Sequence, residues 1–359
     1  MAYSPLTLSS LAKSAVPGVG SAKPTNLLWV DDNASGGGNG SSASPFKTIQ
    51  AAIDKATPGT AVMVKSGTYN GSVSLDDASG TNGKPVWLVS ADGQGAAKII
   101  ASSGKPGISA YGEDYLVIKG FTIQGGTEGI KLTQSGSHLK NLTTNIVIED
   151  NHISGSSIDG IKLAQARYVA VTGNTVEDFG REEGIDNVYV RDAVIAYNDI
   201  SDATKSGNRS GITVKAGSED IKILYNDISD VLDGIIVGGY SSQPGKVYPG
   251  GIDYQAKDIT VSGNHVYDLA KRAVNVLGGS DSVISDNKFD PNNSYPTVVN
   301  VASDNHGNRS EDIRILDNIV EASKWLTVQS GNASGLVTSG NTQDGGLTLL
   351  GIGADALSY

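Results

Sequence analysis

Lys215 is the cation that the layout of this sequence singles out. It closes the run GITVK at 211–215, within the segment GITVKAGSEDIKILYND. On one side lies the insertion KSGNRS at 205–210, and beyond the next strand-like run lies YSSQPGKVYPGGIDYQ at 240–255. Insertions into a repetitive chain build walls around a groove, and binding groups collect there. An amine between two such walls either binds a ligand directly, takes part in catalysis, or stands hydrated as an ordinary surface charge.

A second constellation is acidic. Glu128, Asp159, Glu183 and Asp233 each stand immediately before a Gly-Ile pair, and Glu182, Asp186 and Asp192 lie close to the third of them. Carboxylates stacked at strand spacing repel one another unless protonated, hydrated or bridged by a cation. Three readings follow: exposed turn residues, a calcium site, or the acid and base of a glycosidase. The last needs two carboxyls roughly 5–10 Å apart over one groove, which Asp186 and Asp233 could supply. Tyr240, Tyr248 and Tyr254 on the long insertion have rings that could stack on sugars and hydroxyls that could hydrogen-bond them, or could pack the loop onto its support. Lys131 and Lys162 occupy equivalent outward positions, suited to an acidic polymer or to water. His138, His152, His265 and His306 show no metal spacing.

What must position these groups is a repeat. The phrase apolar–x–apolar–x–x–Asn–x–apolar recurs as IVIEDNHISGS at 146–156, VAVTGNTVEDF at 169–179, IKILYNDISDV at 221–231 and IRILDNIVEAS at 313–323, among others. Its Asn falls at 151, 174, 198, 226, 264, 287, 318 and 341, so the commonest interval is 23 and the longest, 38, contains the 240–255 insertion. Each unit also carries a second short run, such as GIKL at 160–163 or GIIV at 234–237. Alternation with period two sends every other side chain inward. One such unit cannot bury its own apolar face, whereas stacked units make a continuous core. The expected architecture is all-β: a right-handed, single-stranded parallel β-helix of about ten coils. The repeated Asn suits a bend and an amide-to-amide ladder between coils.

The beginning of the chain differs. Ile49, Ala52, Ile53 and Ala56 have helical spacing before a Pro58-Gly59 stop, which predicts a capping helix over 45–59 that covers exposed strand edges. Residues 1–25 read as a flexible leader, 26–345 as the β-helix, and 346–359 as a cap or tail. The phrases PFKTIQAAI at 45–53 and PGTAVMVKSGTY at 58–69, with the Asn phrases, resemble right-handed parallel β-helix carbohydrate-active proteins. That group includes pectate, alginate and chondroitin lyases, mannuronan epimerases and phage tailspikes.

The resemblance implies a polysaccharide substrate and, in the lyases resembling chondroitinase B, a lysine base at the position of Lys215. A neutral Lys would take the C5 proton of a uronate and β-elimination would break the C4–O bond. That requires an amine whose pKa is lowered and a cation on the uronate carboxylate, for which Arg209, Arg191 and Lys246 are candidates. The chain departs from the pattern in the next coil. GIIVGGYSS has Gly238 and Gly239 where the chondroitinase-like proteins have Arg, and only Asp233 remains of the calcium ligands of the pectate lyase pattern. The Asp-Pro-His motif of the epimerases and the paired Asp set of polygalacturonases are absent as well.

Composition sets outer limits. The 359 residues carry a net charge of −11, which argues against a nucleic-acid partner, and no apolar run reaches the ~18 residues of a membrane span. With no Cys there is no thiolate metal site or disulfide framework. No signal peptide is visible over Met1–Lys23, and the expected setting is secreted or extracellular and bacterial. The cofactor expectation is none, with calcium at the acidic column as the alternative; monomer and homo-oligomer stay open. Three functions compete: a lyase of an acidic glycan, a glycoside hydrolase, and a non-catalytic glycan-binding rod.

Overall fold

The computed structural model describes residues 4–134, 142–203, 210–239, 252–292, 297–322, 325–329, 331–343 and 347–348. The chain divides into two compact units, residues 1–180 and 181–359. Both are parallel β-helix, as the repeat requires, and the turns number about nine.

In the first unit one face is the ladder Asn26–Val30, Thr60–Val64, Val86–Ser90, Leu116–Lys119, Thr143–Glu149 and Ile161–Thr172, every neighbour parallel. A second face stacks Ile108–Tyr111, Ile130–Thr133 and the start of Ile161–Thr172. A third runs from Gly67–Asn70 through Ala97–Ile100, Thr122–Gln124 and His152–Ser154 to Thr175–Glu177. In the second unit one face is the start of Glu183–Ala196 with Ser210–Lys215, Asp233–Gly238, Val274–Leu277 and Val299–Ala302. Ile185, Ile212, Ile235, Val274 and Val299 stack in register along it, all fully buried. This is the inward half of the period-two pattern.

The repeated asparagines are buried and form the expected ladders. Asn151 donates its Nδ2 to Asn174 Oδ1 at 3.0 Å in the first unit. In the second, Asn198, Asn226, Asn264, Asn287, Asn318 and Asn341 continue the same bond from coil to coil at 2.8–2.9 Å. The bend itself belongs to the preceding residue rather than to Asn. Asp150, Tyr197, Tyr225, Asp286 and Asp317 all have φ between 53° and 58°, the left-handed region that most side chains avoid. The Asn amide then satisfies backbone groups that the turn leaves without strand partners: Asn226 Nδ2 also donates to Ile195 O at 3.0 Å.

Where a flexible leader is expected, residues 4–25 include a packed segment. Ser10–Ala15 is helical, with Ser9 as its N-cap. Leu8, Ala12, Val16 and Val19 are buried against Trp87, Val89, Val117, Val147 and Ala170. The reason is legible in the strands beneath: Thr60–Val64 and Val86–Ser90 are buried at every position, so the outward side of this face is apolar too and needs a cover. The helix expected over 45–59 is only Ile49–Ile53, with Ile49, Ala52 and Ile53 buried. Among the described residues no helix is long and apolar enough to cross a membrane.

Candidate active site

Parallel pairing of Glu183–Ala196 with Ser210–Lys215 sets Glu183 beside Ser210, Asp186 beside Thr213 and Val188 beside Lys215. Lys215 therefore ends a strand one coil beyond the two acids, with a side chain long enough to reach back. Its Nζ lies 2.7 Å from Glu183 Oε1 and 3.0 Å from Asp186 Oδ1. Asp186 is wholly buried, Glu183 is 8% exposed, and the Lys215 side chain retains 17% exposure. Thr213 and Ser210 share a hydroxyl–hydroxyl bond of 2.6 Å, and Asn187 Nδ2 donates to Thr213 O at 3.0 Å.

The electrostatics follow from this packing. Burial alone would lower the pKa of the Lys215 amine, but the Asp186 and Glu183 carboxylates outweigh it and hold the amine above its ordinary range. Lys215 is thus a firmly protonated ammonium between two acids. Glu183 and Asp186 offer oxygens of the kind calcium takes, and in this arrangement the ammonium supplies their counter-charge.

Asp233 lies in the same register column, since Ser210 pairs with it on the far side. Glu183, Ser210 and Asp233 are thus successive rungs, and the two acids are two coils apart with Ser210 between them. Burial pushes the Asp233 carboxyl up, against the pull of Arg272 and Lys271. Arg272 donates its backbone N–H to Asp233 Oδ1 at 3.3 Å and brings NH1 to 3.5 Å.

The acids before Gly-Ile are not exposed turn residues. Glu128, Asp159, Glu183 and Asp233 are all less than 9% exposed. In the first unit Glu128 holds Lys131 at 2.7 Å and Asp159 holds Lys162 at 3.1 Å, each within one strand start. Lys162 is therefore engaged in its own ion pair in the first unit.

Arg191 and Tyr254 meet each other around Glu219. Arg191 NH1 is 3.2 Å from Glu219 Oε2, and the Tyr254 hydroxyl donates to the same oxygen at 3.0 Å. Burial raises the Tyr254 pKa, helped by that bond and the Glu219 charge. The backbone turns at Ala216 and Gly217, both at positive φ, so Glu219 begins the strand Ser218–Leu224 on a different face from Lys215. Arg209, Tyr240, Lys246 and Tyr248 lie outside the described residues. The Glu183–Lys215 pair was missed in the sequence because its partners are 32 residues apart, and only coil register brings them together.

Residues 89–245 match the family model described as the right handed beta helix region. A curated relative, the uncharacterized protein YwoF of Bacillus subtilis, is 31% identical over 136 residues, 36% of this chain and 29% of the relative. The match thus spans less than a third of that protein. The A-module of the mannuronan C-5 epimerase AlgE6 of Azotobacter vinelandii superposes with a TM-score of 0.59 at 16% identity, over 85% of this chain and 95% of that one. Pectate lyase Pel9A gives 0.60 at 13% identity over 90% and 81%. The Dettilon tailspike protein gives 0.59 at 17% identity over 89% and 68%. At these identities the likeness is one of fold, and on that ground the chain is a right-handed parallel β-helix protein.

Proposed function

We propose that the chain cleaves a polysaccharide by hydrolysis at the acids around Lys215, with Asp233 as general acid and Glu183 as general base. The observation that carries this reading is the Lys215 ammonium clamped by Glu183 and Asp186. A base must arrive unprotonated, and these two carboxylates keep the proton on the amine. Glu183 accepts the Lys215 ammonium, while burial favours a protonated Asp233. A carboxyl held protonated by burial, with a second carboxylate in the same register column, fits the general acid of an acid–base pair.

Spacing supports the assignment. Two rungs of a parallel sheet put the Glu183 and Asp233 backbones about 10 Å apart, near the separation of ~6.5–9.5 Å that leaves room for a water in inverting glycosidases. Asp233 would give its proton to the glycosidic oxygen as the C1–O bond breaks. Glu183 would take a proton from the water whose oxygen bonds to C1. With Glu183 and Asp186 outweighing Lys215 in charge, a neutral sugar suits the point of cleavage better than a uronate.

Lysis of an acidic glycan with Lys215 as base is the second reading, favoured by the fold shared with pectate lyase Pel9A. It requires substrate to turn both acids away from the amine. Lys215→Arg separates the two, because a guanidinium keeps the charge and cannot serve as a base. On a panel of neutral and acidic polysaccharides, hydrolysis predicts new reducing ends without unsaturated product and a loss of at most about tenfold in this variant. Elimination predicts ultraviolet-absorbing unsaturated ends and a loss of at least about a hundredfold; that outcome would falsify the hydrolytic reading.

A further inference from the structure

The first unit holds a cleft of about 340 Å³ between the short helix Ile49–Ile53 and the strand Gly67–Asn70. It shares no residue with the cluster around Lys215. Its floor is apolar: Ile49, Tyr69 and Val73 are each no more than 6% exposed. The Tyr69 hydroxyl is fixed by donation to Lys65 O at 3.0 Å. Asp32 stands at one side, where its Oδ2 accepts the Thr68 N–H at 2.9 Å. The outer rim is Lys47, Thr68 and Asn70, all exposed. Among the described residues these three side chains make no hydrogen bond or ion pair within the protein, so their donors and acceptors face the opening unspent.

This volume is at the small end of ligand sites, which run from about 300 to 1,000 Å³. An apolar floor under a ring of hydroxyl, amide and single charged groups matches a molecule with one apolar face and hydrogen-bonding edges. One carboxylate and one ammonium leave the rim without net charge, which disfavours a polyanion. A pyranose has that shape and that chemistry.

We infer that this cleft is a separate binding site for one or two neutral pyranose units, read by Tyr69 and Val73 beneath the ring and by Lys47, Asn70 and Asp32 at its edge. The inference does not depend on hydrolysis at Glu183 and Asp233, since binding can be scored without turnover. Saturation-transfer NMR on the full chain, with methyl glycosides of glucose, galactose, mannose and xylose at millimolar concentration, tests it. At least one glycoside should show transfer to its ring protons. In Lys47→Ala/Asn70→Ala the affinity for it should fall by at least about fivefold, with the circular dichroism spectrum unchanged. Glu183→Gln should bind it as tightly as the parent chain, which separates this cleft from the site around Lys215. No transfer to any of the four glycosides overturns the inference. So does transfer that survives the double variant, or transfer to free glycine, a zwitterion, in place of the sugars.

Discussion

Asp186, with no exposed surface, accepts the Lys215 ammonium at 3.0 Å while Glu183 accepts it at 2.7 Å. Two acids and one base make a cluster that is stable only while the base is charged. Lys215→Met would leave two neighbouring carboxylates buried without their cation, and removing one partner of a buried pair costs about 3–5 kcal/mol. The additional change Asp186→Asn should return much of that loss. Urea unfolding at neutral pH measures both, and a Lys215→Met midpoint equal to the parent's would refute the clamp.

The same pair has a definite pH signature. The folded-state pKa of Lys215 is raised above the ordinary 10.5, so the folded chain binds the proton more tightly than the unfolded one. Its stabilisation is therefore complete below pH 10.5 and is lost only as pH climbs through the raised folded value. Unfolding curves of parent and Lys215→Met should differ by a constant amount from neutral pH to about 10 and converge above that. Convergence already near neutral pH would mean that the amine titrates there, as a lyase base would.

Asp233 and Arg272 make a prediction of the opposite kind. The Asp233 carboxyl is raised by burial, and Arg272 opposes the rise. Activity that needs protonated Asp233 falls as pH rises through that raised pKa, which gives the alkaline limb of the rate profile. Arg272→Met removes the opposing charge and should move this limb to higher pH, and Asp233→Asn should abolish hydrolysis by about a hundredfold or more. The stability sign is linked: between the ordinary 3.8 and the raised value the folded state holds the extra proton, so stability declines with rising pH across that window. A rate profile whose alkaline limb stays put in Arg272→Met would assign the limb to another group.

Much of this fold is legible in the sequence because the coil is a local object. The phrase around Asn226 states a strand, a bend and a second strand within eleven residues, and its recurrence states that the strands stack. Register is what local phrases do not state. Lys215 was marked by the insertions around it, yet its partner Glu183 lies one coil back. Arg191, close in sequence to that site, belongs to Glu219 because the chain turns at Ala216 and Gly217. The burial of Asp233 and its tie to Arg272 depend in the same way on a coil that begins 39 residues later. The sequence did carry one neglected sign. TAVMV at 60–64 and VWLVS at 86–90 are apolar without alternation, unlike IKLT at 130–133, whose burial alternates. A strand buried on both sides announces that something covers its outer side.

That cover is the segment around Ser10–Ala15, and its attachment is testable. Beneath it Lys119 and Glu149 pair in register on neighbouring strands, both under 4% exposed, and Thr172 Oγ1 donates to Glu149 at 3.1 Å. The segment completes this network from above: Thr7 O accepts Lys119 Nζ at 2.8 Å, and the Ser9 N–H donates to Glu149 at 3.0 Å. Beside it Val16 and Ala12 close over Val117 and Val147. Taking the segment away would expose that apolar strip and leave the ion pair to water. Val16→Asp should lower stability by about 3 kcal/mol, the scale expected for forcing a charge into an apolar contact. Deleting residues 1–22 should cost at least as much and should raise the binding of a hydrophobic dye to the folded chain. A deletion that leaves both the urea midpoint and the dye signal unchanged would mean that these residues rest on the strands without holding them.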